Sequence, residues 1–128
     1  MIVGIGVDVV NVLKFGATLR AAPGFTDAVF TERESVDEAG VPLSESSLAA
    51  RYAAKEALAK ALGTPGAMRW HDAEVLVDPS GLPRLATHGA VAAAAQERGI
   101  DSWHLSLATE GDVAVAYVVA EGRGQSVA

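Results

Sequence analysis

The chain has no cysteine, and that one absence removes disulfides, thiolate catalysis and cysteine-based zinc sites together. Aromatic residues are scarce too, 5% of 128, although half of all residues are hydrophobic. Ala, Val and Leu must therefore build the core, and side chains this small imply close helix–sheet packing. Basic charge is short as well: 10 Lys and Arg stand against 16 Asp and Glu, a net charge of −6. That balance argues against nucleic acid or an anionic membrane surface as the main partner, since both need clustered Lys and Arg. His71, His88 and His104 are widely spaced and form no paired metal-ligand pattern. No apolar run is long enough to span a bilayer. Met1–Asp8 lacks the basic start of a signal peptide. The chain reads as a cytoplasmic, soluble protein with neither a nucleic-acid nor a membrane partner.

What is present suits one domain, with a single core, over residues 1–121 and a flexible tail over 122–128. Residues 2–9 are β-branched and punctuated by glycine, which predicts a buried strand. Gly4-Ile5-Gly6-Val7-Asp8 is not a dinucleotide fingerprint, because Val9 stands where a third glycine is needed. Glycines inside a strand instead mark close backbone approach or a bulge. Asn11 is expected to cap a short helix that Pro23-Gly24 stops, and a second helical piece is expected from Phe25 to Glu34. Residues 35–46 are polar and Gly/Pro-broken, a mobile loop by composition, and a long helix follows from Ser46 or Ser47 to Leu62. The cluster Gly63-Thr64-Pro65-Gly66 breaks the chain there. Residues 73–77 and 83–86 alternate around Asp78-Pro79-Ser80-Gly81 as a hairpin should. A helix from Gly89 to Arg98 and strands over 103–108 and 113–121 complete the order. The expectation is an α+β domain with a largely antiparallel sheet packed on one long helix and shorter helices.

Two features carry chemistry. On the alanine-rich helix Arg51–Gly63, Glu56 and Lys60 lie four residues apart and share a face. Taken alone they read as a solvated charge pair; with a partner they can hold a divalent cation and a phosphate side by side. Asp8 sits in the most apolar segment of the chain. It either caps the helix that follows or meets a cation, because an unpaired buried carboxylate is costly.

Gly4-Ile5-Gly6-Val7-Asp8, Phe30-Thr31-Glu32-Arg33-Glu34 and Leu48-Ala49-Ala50-Arg51-Tyr52-Ala53-Ala54-Lys55-Glu56-Ala57-Leu58-Ala59-Lys60-Ala61 stand in this order. Together they resemble holo-acyl-carrier-protein synthases, the small 4′-phosphopantetheinyl transferases, with an actinobacterial texture. The resemblance continues through His71-Asp72-Ala73-Glu74-Val75, Asp78-Pro79-Ser80-Gly81-Leu82-Pro83 and Trp103-His104-Leu105-Ser106-Leu107, from Ile2 to Glu121. It implies transfer of the 4′-phosphopantetheine arm of coenzyme A to a serine of apo acyl carrier protein, leaving adenosine 3′,5′-bisphosphate. It further implies Asp8 and Glu56 as Mg²⁺ ligands, Lys60 on a phosphate, and Asp8, Glu56 and Lys60 as the catalytic set. Arg51, Ser106 and Thr109 fall at coenzyme A-binding positions, and Lys14 and Arg20 at carrier-docking positions. A homotrimer is implied as well, with Asp8 supplied by one chain and Glu56 and Lys60 by the next. The setting implied is fatty-acid and lipid metabolism.

One departure stands out. Family members read Ser-x-Ser-His or Ser-x-Thr-His where this chain has Ser106-Leu107-Ala108-Thr109. A titratable ring is thereby replaced by a neutral hydroxyl. The role falls to His104 or to a water, and against His104 stands its odd offset along the strand, which faces the other way. A second expectation follows: a homologue that binds coenzyme A or carrier with weak or lost turnover.

Overall fold

A computed structural model of the chain describes residues 1–63 and 68–125. Its elements run β1 (Ile2–Asn11), α1 (Val12–Ala21), α2 (Phe25–Val29), α3 (Glu45–Leu62), β2 (Ala73–Val77), β3 (Pro83–Thr87), α4 (Gly89–Glu97), β4 (Ile100–Glu110) and β5 (Val113–Gly122). Single 3-10 turns at Glu32–Glu34 and Trp70–Asp72 link them. β5 pairs antiparallel with β1 on one edge and β4 on the other, giving a three-stranded sheet ordered β1-β5-β4. β2 and β3 form a separate hairpin. This is the expected α+β domain, with its antiparallel strands divided between two sheets.

The sheet has one face of very small side chains, and α3 packs into it. Ala114, Ala116, Val118 and Ala120 of β5 are buried there, against Ala53, Ala57 and Ala61 of the helix. Gly4 and Gly6 of β1 complete the fit. A Cβ on Gly6 would lie 1.8 Å from the Ala57 carbonyl oxygen, and one on Gly4 2.0 Å from that of Ala61. The in-strand glycines therefore mark close backbone approach, as expected, and they bring β1 and α3 near enough for their polar groups to meet. The opposite face of the sheet is apolar and uncovered: Ile5, Val7, Val9, Val113 and Tyr117 are exposed on it.

The hairpin is tied to α3 by a buried ion pair. Lys55 is fully buried, and its Nζ donates to Glu34 Oε1 at 2.7 Å and to the Trp70 and Ala73 carbonyls. Glu34 in turn accepts from the Thr31 and Val75 backbone N–H groups, so neither charge is left without partners. Burial pulls the Lys55 ammonium below the usual lysine range, and Glu34 opposes that shift.

Several boundaries differ from the expected ones. α3 starts at Glu45, because the Ser44 side chain accepts from Ser47 N and caps the helix early. The piece expected as one helix from Phe25 to Glu34 splits where Phe30 and Thr31 are extended. The 35–46 segment is closed by a Val36–Pro42 bridge and by Asp37, whose carboxylate accepts from the Ala39 and Val41 N–H groups. β4 and β5 run longer than alternation alone suggested. Gly63, at φ 83, ends α3 as a left-handed cap. The rest of the breaker cluster, residues 64–66, lies outside the described residues. At the other end Arg123 and Gly124 donate to the Gly99 carbonyl.

Candidate active site

Strand alternation turns Gly4, Gly6, Asp8 and Val10 of β1 toward α3, opposite Ala120, Val118, Ala116 and Ala114 of β5. Asp8 is thus aimed at the helix rather than into α1, whose N-terminus is capped by the Asn11 side chain. Lys60 reaches across from α3: its Nζ donates to Asp8 Oδ1 at 3.0 Å and to the Val7 carbonyl at 3.0 Å. One turn earlier on the same face stands Glu56. Asp8 and Lys60 therefore meet inside a single chain, with Glu56 on the helix face that carries Lys60. The division of these three residues between neighbouring chains, implied by the resemblance, is corrected by this contact. It arises because Gly4 and Gly6 let β1 lie against α3 of its own subunit.

Tyr52, another turn back along α3, belongs to the same cluster. Burial, then the hydrogen bond and charge of Glu56, then the charge of Asp8 push its phenol up to about 12. Sequence reading missed this residue, although its i, i+4 relation to Glu56 was a usable signal.

The other expected site residues lie elsewhere. Arg51 is nine positions before Lys60, about half a helical revolution away. Its Nη1 donates to the Val75 carbonyl at 2.6 Å, and burial lowers its pKa, with Glu34 opposing. Arg51 lines a cleft of about 710 Å³ together with Arg33, Val36, Leu43, Val77 and Pro79. Ser106 lies on the uncovered sheet face opposite Tyr117, while Thr109, next to last in β4, pairs with Ala114. Lys14 is exposed in the first turn of α1. Arg20 is engaged by Glu45, at 2.6 Å. Each histidine has an acceptor of its own: His71 meets the Asp27 carbonyl, His88 meets Glu74 and His104 meets Glu121.

Asp8 and Glu56 together suit a hard divalent cation. They offer oxygen donors only, and Asp8 uses one carboxylate oxygen on Lys60. Among the described residues no group of three or more His, Cys, Asp or Glu gathers to enclose a metal. A cation held here would keep positions for water and phosphate oxygens, which is the habit of Mg²⁺.

Residues 4–118 match the model of the 4′-phosphopantetheinyl transferase superfamily, and the chain belongs to that family. Within it, a holo-[acyl-carrier-protein] synthase of Salinispora arenicola is 54% identical over 121 residues, 94% of this chain and 99% of the relative. The structure of the Neisseria meningitidis holo-[acyl-carrier-protein] synthase superposes with a TM-score of 0.84 at 33% identity, covering 94% of this chain and 99% of that one. A Chronobacterium ammoniagenes synthase in complex with coenzyme A superposes at 0.78 with 30% identity, over 94% and 97% of the two chains. The class is that of the small holo-acyl-carrier-protein synthases.

Proposed function

We propose that this chain performs the synthase reaction through Asp8, Glu56 and Lys60. It transfers the 4′-phosphopantetheine group of coenzyme A to a serine of an apo acyl carrier protein. The observation that carries the residue assignment is the Lys60 ammonium bridging to Asp8, with Glu56 one turn away on the same helix face. In the reaction the serine oxygen bonds to the phosphorus that bears pantetheine. The bond from that phosphorus to the bridging oxygen breaks, and adenosine 3′,5′-bisphosphate leaves. Lys60 holds a phosphate oxygen as a compact point charge while negative charge spreads over the phosphoryl group. Glu56 is placed to orient the serine hydroxyl, or a water beside it, and to take its proton. Asp8 fixes the Lys60 ammonium and, with Glu56, supplies the ligands for Mg²⁺, whose charge neutralises phosphate oxygens when it is bound. Neither the fold nor the comparisons favour a homologue that binds without turnover.

The cleft between Arg51, Arg33 and the β2–β3 turn offers two guanidinium groups to the phosphates of the coenzyme A nucleotide. Arg51 in that cleft and Lys60 beside Asp8 stand about half a helical revolution apart on α3. This supports a homotrimer in which a neighbouring copy completes the site and brings Ser106 and Thr109 toward the coenzyme. The uncovered face with Ile5, Val7, Val9 and Tyr117 provides apolar area for such contacts. Carrier docking rests on α1, through Lys14 and through Arg20 once it leaves Glu45; an acidic partner surface needs such a local patch on a chain of net charge −6. A cytoplasmic role in fatty-acid and lipid biosynthesis accompanies this reading, and a cysteine-free chain suits a reducing compartment.

The test is direct. Incubated with coenzyme A, Mg²⁺ and apo carrier, the chain should raise the carrier's mass by one phosphopantetheine group. An unmodified carrier, beside a working control synthase, overturns the reading.

A further inference from the structure

Arg33 and Arg51 line the same cleft, but they are held in different ways. Arg51 is partly buried on α3 and donates to the Val75 carbonyl, so packing and main chain fix it. Arg33 lies in a single 3-10 turn, and its side chain is 61% exposed. A long side chain so placed samples many rotamers, and ordering it on a ligand costs entropy.

Glu74 removes that freedom. Its carboxylate, only 5% exposed, accepts from Arg33 Nε at 2.7 Å through Oε2 and from Arg33 Nη2 at 2.5 Å through Oε1. Two such bonds set the plane of the guanidinium as well as its place. The carboxylate is itself fixed by others: Thr31 Oγ1 donates to Oε2 at 2.6 Å, and His88 Nε2 meets Oε1 at 2.6 Å. Glu74 also belongs to β2, paired with Ala86 of β3, so the hairpin holds its backbone. An ordinary surface ion pair has two exposed partners; here one partner is buried and bound by three residues. Buried as it is, Glu74 offers no surface to a ligand. Its bonds occupy one edge of the guanidinium. Arg33 Nη1 makes no hydrogen bond among the described residues and keeps two N–H donors free. Donors fixed in a planar fork suit phosphate oxygens.

We propose that Glu74 is a positioning residue for coenzyme A binding, holding Arg33 so that the free donors of its guanidinium meet a phosphate in the cleft. The inference rests on the reading of that cleft as the coenzyme site. Glu74 acts only through Arg33.

Coenzyme A binding is measured by calorimetry at neutral pH in wild type, Arg33→Gln, Arg33→Lys, Arg51→Gln, Glu74→Gln and the double variant Arg33→Gln/Glu74→Gln. Circular dichroism checks folding. Arg33→Gln should weaken binding about tenfold, the low end for a hydrogen bond to a charged group. Glu74→Gln should weaken it about three- to tenfold, as expected when one long side chain must be ordered anew. The double variant should bind no worse than Arg33→Gln, because Glu74 then has nothing to hold. Losses that add there show a merely structural Glu74 and overturn the positioning role. Unchanged binding in Glu74→Gln overturns it, and so does tighter binding, the result if the carboxylate only neutralises Arg33. Arg33→Lys keeps the charge without the fork and should resemble Arg33→Gln. Wild-type affinity in Arg33→Lys overturns the role even where Glu74→Gln fails to fold. Undiminished binding in Arg33→Gln overturns it as well; if Arg51→Gln also binds normally, the reading of the cleft falls with it.

Discussion

Lys60 has two acceptors on β1, and both come from residues more than fifty positions away in sequence. Glu56 and Lys60 could be paired from their spacing alone, since positions four apart share a helix face. Asp8 could not be joined to them without knowing which strand α3 covers. The cluster is a half-exposed ion pair, and such pairs contribute about 1 kcal/mol or less to stability. Its substitution should therefore act on chemistry rather than on folding. We expect Asp8→Asn and Glu56→Gln each to lower carrier modification by about a hundredfold or more, the range associated with acid–base and charge-stabilising groups. Melting temperatures should stay close to wild type. A near-normal rate in either variant, measured by mass spectrometry at saturating Mg²⁺, would remove that residue from the site.

At the scale of elements, two contacts decide where the site residues stand. The first is β1 against α3. A methyl group on Gly6 cannot fit 1.8 Å from a backbone oxygen, so strand and helix must separate. Gly6→Ala should cost roughly 3 kcal/mol, at the upper end of overpacking, and should reduce activity by moving Asp8 away from Lys60. Urea unfolding followed by circular dichroism measures the loss, and a variant as stable as wild type would contradict the packing described. The second is the clamp on Glu74 of β2. Its carboxylate accepts from Arg33, Thr31 and His88, joining the turn before the 35–46 segment, the hairpin and the start of α4. Arg33 chiefly, with Thr31 and His88, lowers the Glu74 carboxyl from 4.5 to about 2 against the opposing effect of burial. A depressed carboxyl pKa favours the folded state above the ordinary value and loses that contribution as the proton binds. Stability should hence fall as pH drops from about 4.5 toward 2, by at most roughly 3 kcal/mol and less where solvent screens the exposed Arg33. Glu74→Gln should flatten that acid limb; an unaltered limb in acid titrations would assign it to other carboxylates. Helix caps and the hairpin turn were readable as local chemistry. The Lys55–Glu34 and Glu74 networks were not, because each joins segments remote in sequence.

For the whole molecule, the sheet has two unlike faces. One takes α3 on a floor of Gly and Ala; the other leaves Ile5, Val7, Val9, Val113 and Tyr117 uncovered. If copies of the chain cover that face, Val9→Asp, which adds a charge where Val9 is 62% exposed, should yield a monomer by light scattering after size-exclusion chromatography. The monomer should keep the Asp8–Lys60 contact and its helical circular dichroism, yet lose carrier modification, because the Arg51 cleft then has no neighbouring cluster. A Val9→Asp variant that remains oligomeric would place the interface elsewhere.

The sequence by itself determined the local elements, the close strand–helix approach announced by Gly4 and Gly6, and the pairing of Glu56 with Lys60 on one helix face. These follow from side-chain chemistry and from periods of two and 3.6 residues. Only the tertiary structure decided that Asp8 and Lys60 meet within one chain and that Arg51 faces away from them. Those facts depend on which face of α3 each strand covers. That choice is made by the packing of Ala and Gly surfaces across the whole fold, and no short stretch of sequence contains it.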